Sequence, residues 1–134
     1  KKTKFLHHIV QTLGLSDVEI YNARAETLAH ETKLRDSFDV VVSRAVANLS
    51  VVAELALPFC RIGGLVVTHK GPDSGNEIQQ ADKAIGLMGG KLKTSTHITT
   101  SNSETAGILV SLEKVCPTPN KYPRRPGIPF KRPI

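Results

Sequence analysis

The 134-residue chain reads as an α/β sandwich built on a mainly parallel sheet, and three observations carry that reading. Val40-Val41-Val42 and Leu65-Val66-Val67 are continuous apolar runs, the pattern of strands covered on both faces of a parallel sheet. Between them Leu49, Val52, Ala53, Ala56 and Cys60 recur at spacings of three and four, which sets them on one face of a helix. Beyond the second run, one more amphipathic stretch and two further strand-like runs complete an order of strand, helix, strand, helix, strand, strand.

From the amino end, Thr3 to Leu13 is expected to be helical, with Phe5, Leu6, Ile9, Val10 and Leu13 on one side and Gly14 as its stop. Lys1, Lys2 and Lys4 fit either a nucleic-acid patch or a solvated helix start. His7 and His8 are adjacent on that helix, so their rings do not converge on one metal ion. Ser16-Asp17 marks a turn, Val18 to Tyr21 a short strand, and Ala23 to Leu34 a second helix-prone stretch. Phe38 to Gly71 is the central unit: a strand, a helix, a Gly63-Gly64 stop and a second strand. Pro58 should shorten or kink the last turn of that helix. Each strand of the unit ends in a cation, Arg44 after Ser43 and Lys70 before Gly71. Open α/β sheets place ligands at such carboxyl ends.

Gly71 to Ser74 is a turn with helix-capping residues. Ile78, Ala81, Ala84, Ile85 and Met88 define another amphipathic helix, closed by Gly89-Gly90. Leu92 to Thr99 and Ile108 to Val115 read as an antiparallel strand pair joined by a polar loop from Thr99 to Gly107. Six of the eight prolines fall between Pro117 and Pro133, a density that excludes helix and central strand. The division is therefore a folded body over 1–116 and an extended basic tail over 117–134, either draped on the body or ordered by a partner.

Net charge is +6, and the tail holds Lys121, Arg124, Arg125, Lys131 and Arg132 without an acid. The body is thus near neutral, and the tail is an electrostatic footprint for a polyanion, foremost nucleic acid. Hydrophobic residues at 40% and charged residues at 22% fit a globular class. No apolar run approaches the ~20 residues of a membrane helix, and no signal peptide is visible. Cys60 and Cys116 lack CxxC or His/Cys ligand spacing, so free thiols in a reducing cytoplasm are expected. The chain begins Lys-Lys without a Met, which suggests a fragment or a processed product. Neither G-x-G-x-x-G nor a P-loop occurs anywhere in it.

Four motifs stand in order: Arg24-Ala25-Glu26, SRAVANL at 43–49, Gly63-Gly64 with Lys70-Gly71, and TPNKYPRRPGIPFKRPI at 118–134. Together they resemble the bacterial ribosomal RNA small-subunit methyltransferase G family, also called glucose-inhibited division protein B, over essentially the whole chain. The resemblance implies a class I methyltransferase-like, Rossmann-like three-layer sandwich, here without its first strands and glycine-rich turn. It implies methyl transfer from S-adenosyl-L-methionine to N7 of a guanine in small-subunit (16S) ribosomal RNA. That reaction asks little of side chains, since N7 carries an in-plane lone pair and the sulfonium is already a good leaving group. No metal is called for.

By the same resemblance, Ala25 and Glu26 would contact the cofactor near its adenine. Arg44 would meet the methionyl carboxylate or an RNA phosphate, and Lys70 would position RNA through a phosphate or the guanine edge. The tail cations Lys121, Arg124, Arg125, Lys131 and Arg132 would contact RNA, while Arg24 fits RNA contact or plain surface charge. His69 departs from the family, which usually has an apolar residue there. A cytoplasmic monomer, unattached to membrane and inactive without the missing turn, is the expectation. Two other readings remain open: a basic RNA-binding module without catalysis, and an interaction protein using the P-x-x-P segment PRRPGIP.

Overall fold

The computed structural model describes residues 2–44, 46–99 and 106–134. Its elements in chain order are α1 (Lys2–Thr12), α2 (Ala25–Leu28), β1 (Phe38–Arg44), α3 (Leu49–Ala56), a 3-10 turn (Leu57–Phe59), β2 (Cys60–Lys70), α4 (Gly75–Gln80), α5 (Asp82–Leu87), β3 (Gly90–Ile98), β4 (Gly107–Lys114) and α6 (Ile128–Lys131). The four strands form one sheet in the order β1-β2-β4-β3. The β1–β2 ladder is parallel, with Val40 opposite Leu65 and Val42 opposite Val67, whereas β4 runs antiparallel to both β2 and β3. The sheet is therefore mixed rather than mainly parallel. The antiparallel pair lies where the sequence put it, but β4 inserts between β2 and β3.

One face of the sheet is covered. Every residue of α3 is buried, as the sequence LSVVAELA allows, and Asn48 caps the helix by accepting the Val51 N–H at 3.0 Å. Leu49, Val52 and Ala56 pack with Val66 of β2, Ile108, Val110 and Leu112 of β4, Ile85 of α5 and Met88 just after it. Each such aliphatic side chain contributes roughly 1.5–3 kcal/mol on burial, so this one layer holds most of the stabilising area. The helix ends at Ala56, the 3-10 turn holding Pro58 follows, and β2 begins at Cys60, so Gly63-Gly64 is not the helix stop expected from sequence. The pair instead makes an irregularity inside β2. Gly63 has φ +80°, and a Cβ on Gly64 would come within 2.6 Å of the Asp39 carbonyl oxygen. Cys60, expected on a helix face, starts that strand and is buried.

Among the described residues nothing covers the other face, which corrects the expectation of a doubly covered strand. Val40 and Val42 of β1 are 52% and 75% exposed, and Leu65 and Val67 beside them are half-buried. β1 is also an edge strand, with no neighbour among the described residues on its outer side. The segment expected as a strand, Val18 to Tyr21, is irregular. Its alternation is present, but no described strand lies beside it to complete a ladder, and a strand without partners leaves its backbone groups unpaired. α1 forms as expected, yet none of its residues is buried, and Phe5, Leu6, Ile9 and Leu13 face outward.

Smaller differences follow from local chemistry. The helix expected over Ala23 to Leu34 shrinks to one turn, α2, because Arg35 folds back and donates to the Ala29 carbonyl at 2.9 Å. The single helix around Ile78–Met88 divides into α4 and α5 at Ala81. Most of the loop expected over Thr99 to Gly107 lies outside the described residues. The proline-rich end is laid against the body and carries the short helix α6, which sequence reasoning had excluded. Gly127 at φ +83° starts it, and Pro129 sits in its first turn, where a missing N–H costs nothing.

Candidate functional site at the strand tips

Parallel β1 and β2 end side by side, which brings Arg44 opposite His69 with Lys70 next in line. Below them the Ser43 hydroxyl donates to Thr68 Oγ1 at 3.0 Å. Arg44 is exposed, and among the described residues it has no ion-pair partner. Lys70 differs: its ammonium donates to the Ala47 carbonyl and pairs with Glu77 of α4 at 2.6 Å. Glu77 Oε1 also accepts the Leu49 N–H at the start of α3. Lys70 and Glu77 therefore pin the segment leaving β1, the one that carries Arg44 toward α3. His69 packs over Gly107, where a Cβ would come within 2.7 Å of its Nε2.

Ala25 lies at the same end. With Val41, Ser43, Val46, Val52 and Phe59 it lines a mainly apolar hollow of about 190 Å³. The structure thus brings Ala25, Arg44 and Lys70 to one end of the sheet. Glu26 turns elsewhere. Its carboxylate is 3% exposed and accepts the Gly127 N–H at 2.9 Å, so it holds the carboxyl-terminal segment.

That segment is a strap fixed by three charged clamps. Arg124 makes a fork on Glu54, with Nε to Oε1 at 2.8 Å and the Nη2 amine to Oε2 at 2.6 Å, and its own N–H adds a third bond at 2.8 Å. Glu54 is 1% exposed in the middle of α3, and its carboxylate pushes the Arg124 guanidinium above its already high pKa. Lys114, fully buried, donates to Asp36 Oδ1 at 3.0 Å, the Leu57 carbonyl at 2.7 Å and Thr118 Oγ1 at 2.8 Å. Arg35 donates to the carbonyls of Thr118 at 2.9 Å and Tyr122 at 3.0 Å. Of the five tail cations, Arg124 is thus committed to the body, while Lys121, Arg125, Lys131 and Arg132 are exposed. Sequence reasoning missed this clamp. Its signal was Glu54 itself, a lone carboxylate inside a helix apolar on every side, which burial makes costly without a cation.

Tested against S-adenosylmethionine, the strand-tip residues fit one side of it. Enclosed ligand pockets usually span about 300–1,000 Å³. The hollow here is smaller, and Ser43 is the polar side chain in its lining. Ala25 and Val46 can form an apolar wall for a ring, and Arg44 can meet a carboxylate. Groups for a ribose and a backbone turn close to the cofactor do not occur among these residues.

Solved structures share this frame. A SAM-dependent O-methyltransferase from Thermotoga maritima aligns with a TM-score of 0.55 at 14% identity, over 85% of this chain and 46% of that one. A protein solved in a study of disulfide-to-thioacetal conversion during echinomycin biosynthesis aligns at 0.57 and 14% identity, over 84% and 62%. The fold is therefore the mixed α/β fold seen in SAM-dependent methyltransferases. The model of the rRNA small subunit methyltransferase G family matches residues 1–105, and the chain belongs to that family. Relatives called ribosomal RNA small subunit methyltransferase G share 40% identity in Geobacillus kaustophilus and 42% in Alkaliphilus metalliredigens, each over all 134 residues. The chain spans 56% of the length of both relatives.

Proposed function

We propose that this chain is the carboxyl-terminal portion of an enzyme that methylates N7 of a guanine in 16S ribosomal RNA, acting as a monomer in the cytoplasm. The observation that carries the reading is 40% identity to a relative called ribosomal RNA small subunit methyltransferase G, in a match that spans all 134 residues. S-adenosylmethionine, when bound, supplies the electrophilic methyl group. This chain's part is placement. Arg44 orients a carboxylate or phosphate through its planar fork. Lys70 and Glu77 hold the segment after β1 so that Arg44 keeps its position. Ala25 closes one side of the cofactor space, and Glu26 anchors the strap behind it. In the longer relatives the remaining residues would add the glycine-rich turn and a strand along the open edge of β1. They would also cover the bare face of Val40 and Val42.

The test joins this chain to the upstream residues of the Geobacillus kaustophilus relative and measures transfer of labelled methyl to small-subunit RNA. Label recovered in 7-methylguanine is expected. A folded joined protein that leaves the RNA unlabelled, or labels another position, overturns the reading. The chain alone is expected to give no heat on calorimetric titration with S-adenosylmethionine, and micromolar binding would contradict its assignment as half a site. One observation favours a second reading, a non-catalytic RNA-binding module: the 134 residues contain no glycine-rich cofactor turn. Silent methyl transfer in the joined protein with RNA binding intact would select it.

A further inference from the structure

Between α2 and the strap lies a hollow of about 360 Å³ that the strand-tip site does not use. Glu26, Thr27 and His30 face Lys121, Pro123, Arg124, Arg125 and Pro126 across it. Three of these polar groups are already engaged. Glu26 accepts the Gly127 N–H, Arg124 is clamped on Glu54, and His30 Nε2 lies 2.9 Å from the Pro123 carbonyl, to which it must donate. Lys121, Arg125 and Thr27 are exposed, and among the described residues none of them has an ion-pair partner. The hollow thus presents two cations and a hydroxyl over a floor of proline rings.

We infer that this hollow holds one phosphate of the RNA backbone, with Lys121 and Arg125 as its charged donors and the Thr27 hydroxyl as a third. The inference rests on the ribosomal RNA reading above and adds where the strand is gripped. Arg124, the cation between the two donors, is a staple and not a contact. The staple is what makes the site. Arg124 through its backbone and side chain, His30 on Pro123 and Glu26 on Gly127 fix the strap on both sides of Lys121 and Arg125. Cations carried on a fixed backbone lose less freedom on meeting a phosphate than cations on a free tail. An open concavity without an enclosing wall suits a diester within a strand better than a small free anion, whose whole surface would want cover.

The test measures affinity of the chain for a labelled single-stranded oligoribonucleotide of small-subunit RNA sequence across a salt series. Each phosphate contact on a single strand contributes about 0.7 to the slope of log K against log salt, so K121A/R125A, which empties this one phosphate site, should flatten the slope by about 0.7. Its melting temperature should stay within about 3 °C of the parent, since both side chains are exposed. Lys121→Gln with Arg125→Gln serves as a second variant of similar bulk. An unchanged slope in a folded variant overturns the inference. So does absence of RNA binding by the parent, or loss of slope only in K131A/R132A. Methyl transfer by the joined protein is read separately. Transfer with an unchanged slope removes the hollow alone, and a flattened slope without transfer removes the enzymatic reading alone.

Discussion

Glu54 and Arg124 show how much one buried charge decides. A carboxylate at 1% exposure is tolerable only because three donors of Arg124 satisfy it. Arg124→Ala would leave that carboxylate inside α3 with one backbone donor, and breaking a buried pair costs about 3–5 kcal/mol. The Arg124 side chain is 28% exposed, so water can reach the gap, and we expect a loss of about 2–3 kcal/mol in urea unfolding. A loss below about 0.5 kcal/mol would show that the fork is ornamental. Arg44 should behave in the opposite way. It is exposed at the tip of β1, so Arg44→Ala should leave unfolding unchanged within about 0.5 kcal/mol. In the joined enzyme the same change should lower methyl transfer per folded molecule by at least about tenfold, the loss of one charge-assisted contact. Arg44→Lys should restore only part, because an ammonium cannot match a bidentate fork. Full transfer in Arg44→Ala would remove this residue from the site.

Among elements, the strap is the one whose role changes between sequence and structure. The central unit was legible because its signals are local: a Val run for β1, a three-four apolar spacing for α3, a proline that shortens that helix. Arg44 and Lys70 at strand ends were legible for the same reason. The strap was not, because proline density describes what a segment cannot form and says nothing of where it rests. Its resting place depends on partners far away in sequence, Glu54 being 70 residues from Arg124 and Arg35 87 from Tyr122. The hold of Glu26 on the strap was illegible for the same reason, since its partner is the Gly127 amide 101 residues on. Deleting residues 117–134 should therefore strip Glu26 and Glu54 of these partners together and take Thr118 from Lys114. We expect the melting temperature to fall by at least about 10 °C, or the chain not to fold, before any effect on RNA is read. A truncated chain that melts within about 3 °C of the parent would return the tail to the status of a free appendage.

At the scale of the molecule, the sheet has one well-packed face and one that the described residues leave bare. The helix-covered face of the sheet is closed, whereas β1 presents an open edge and two exposed valines, and α1 leaves its apolar side unburied. A bare apolar sheet face and an unpaired edge strand favour self-association in water. Both features have a common explanation if residues present in the relatives lie on this face and along this edge. The solved structures, which this chain matches over 46% and 62% of their length, leave room for that. The same valines then have two environments, and one pair of substitutions separates them. Val40→Thr with Val42→Thr should change unfolding of the present chain by no more than about 0.5 kcal/mol, since both sites are already wet. In the joined protein each hydroxyl would be buried without a partner, at a cost of about 1–3 kcal/mol, so the pair should cost several times more there. Urea unfolding of both proteins gives the two differences directly. Equal small losses would mean that the face of Val40 and Val42 stays open in the longer protein, and its cover would have to be sought in another molecule.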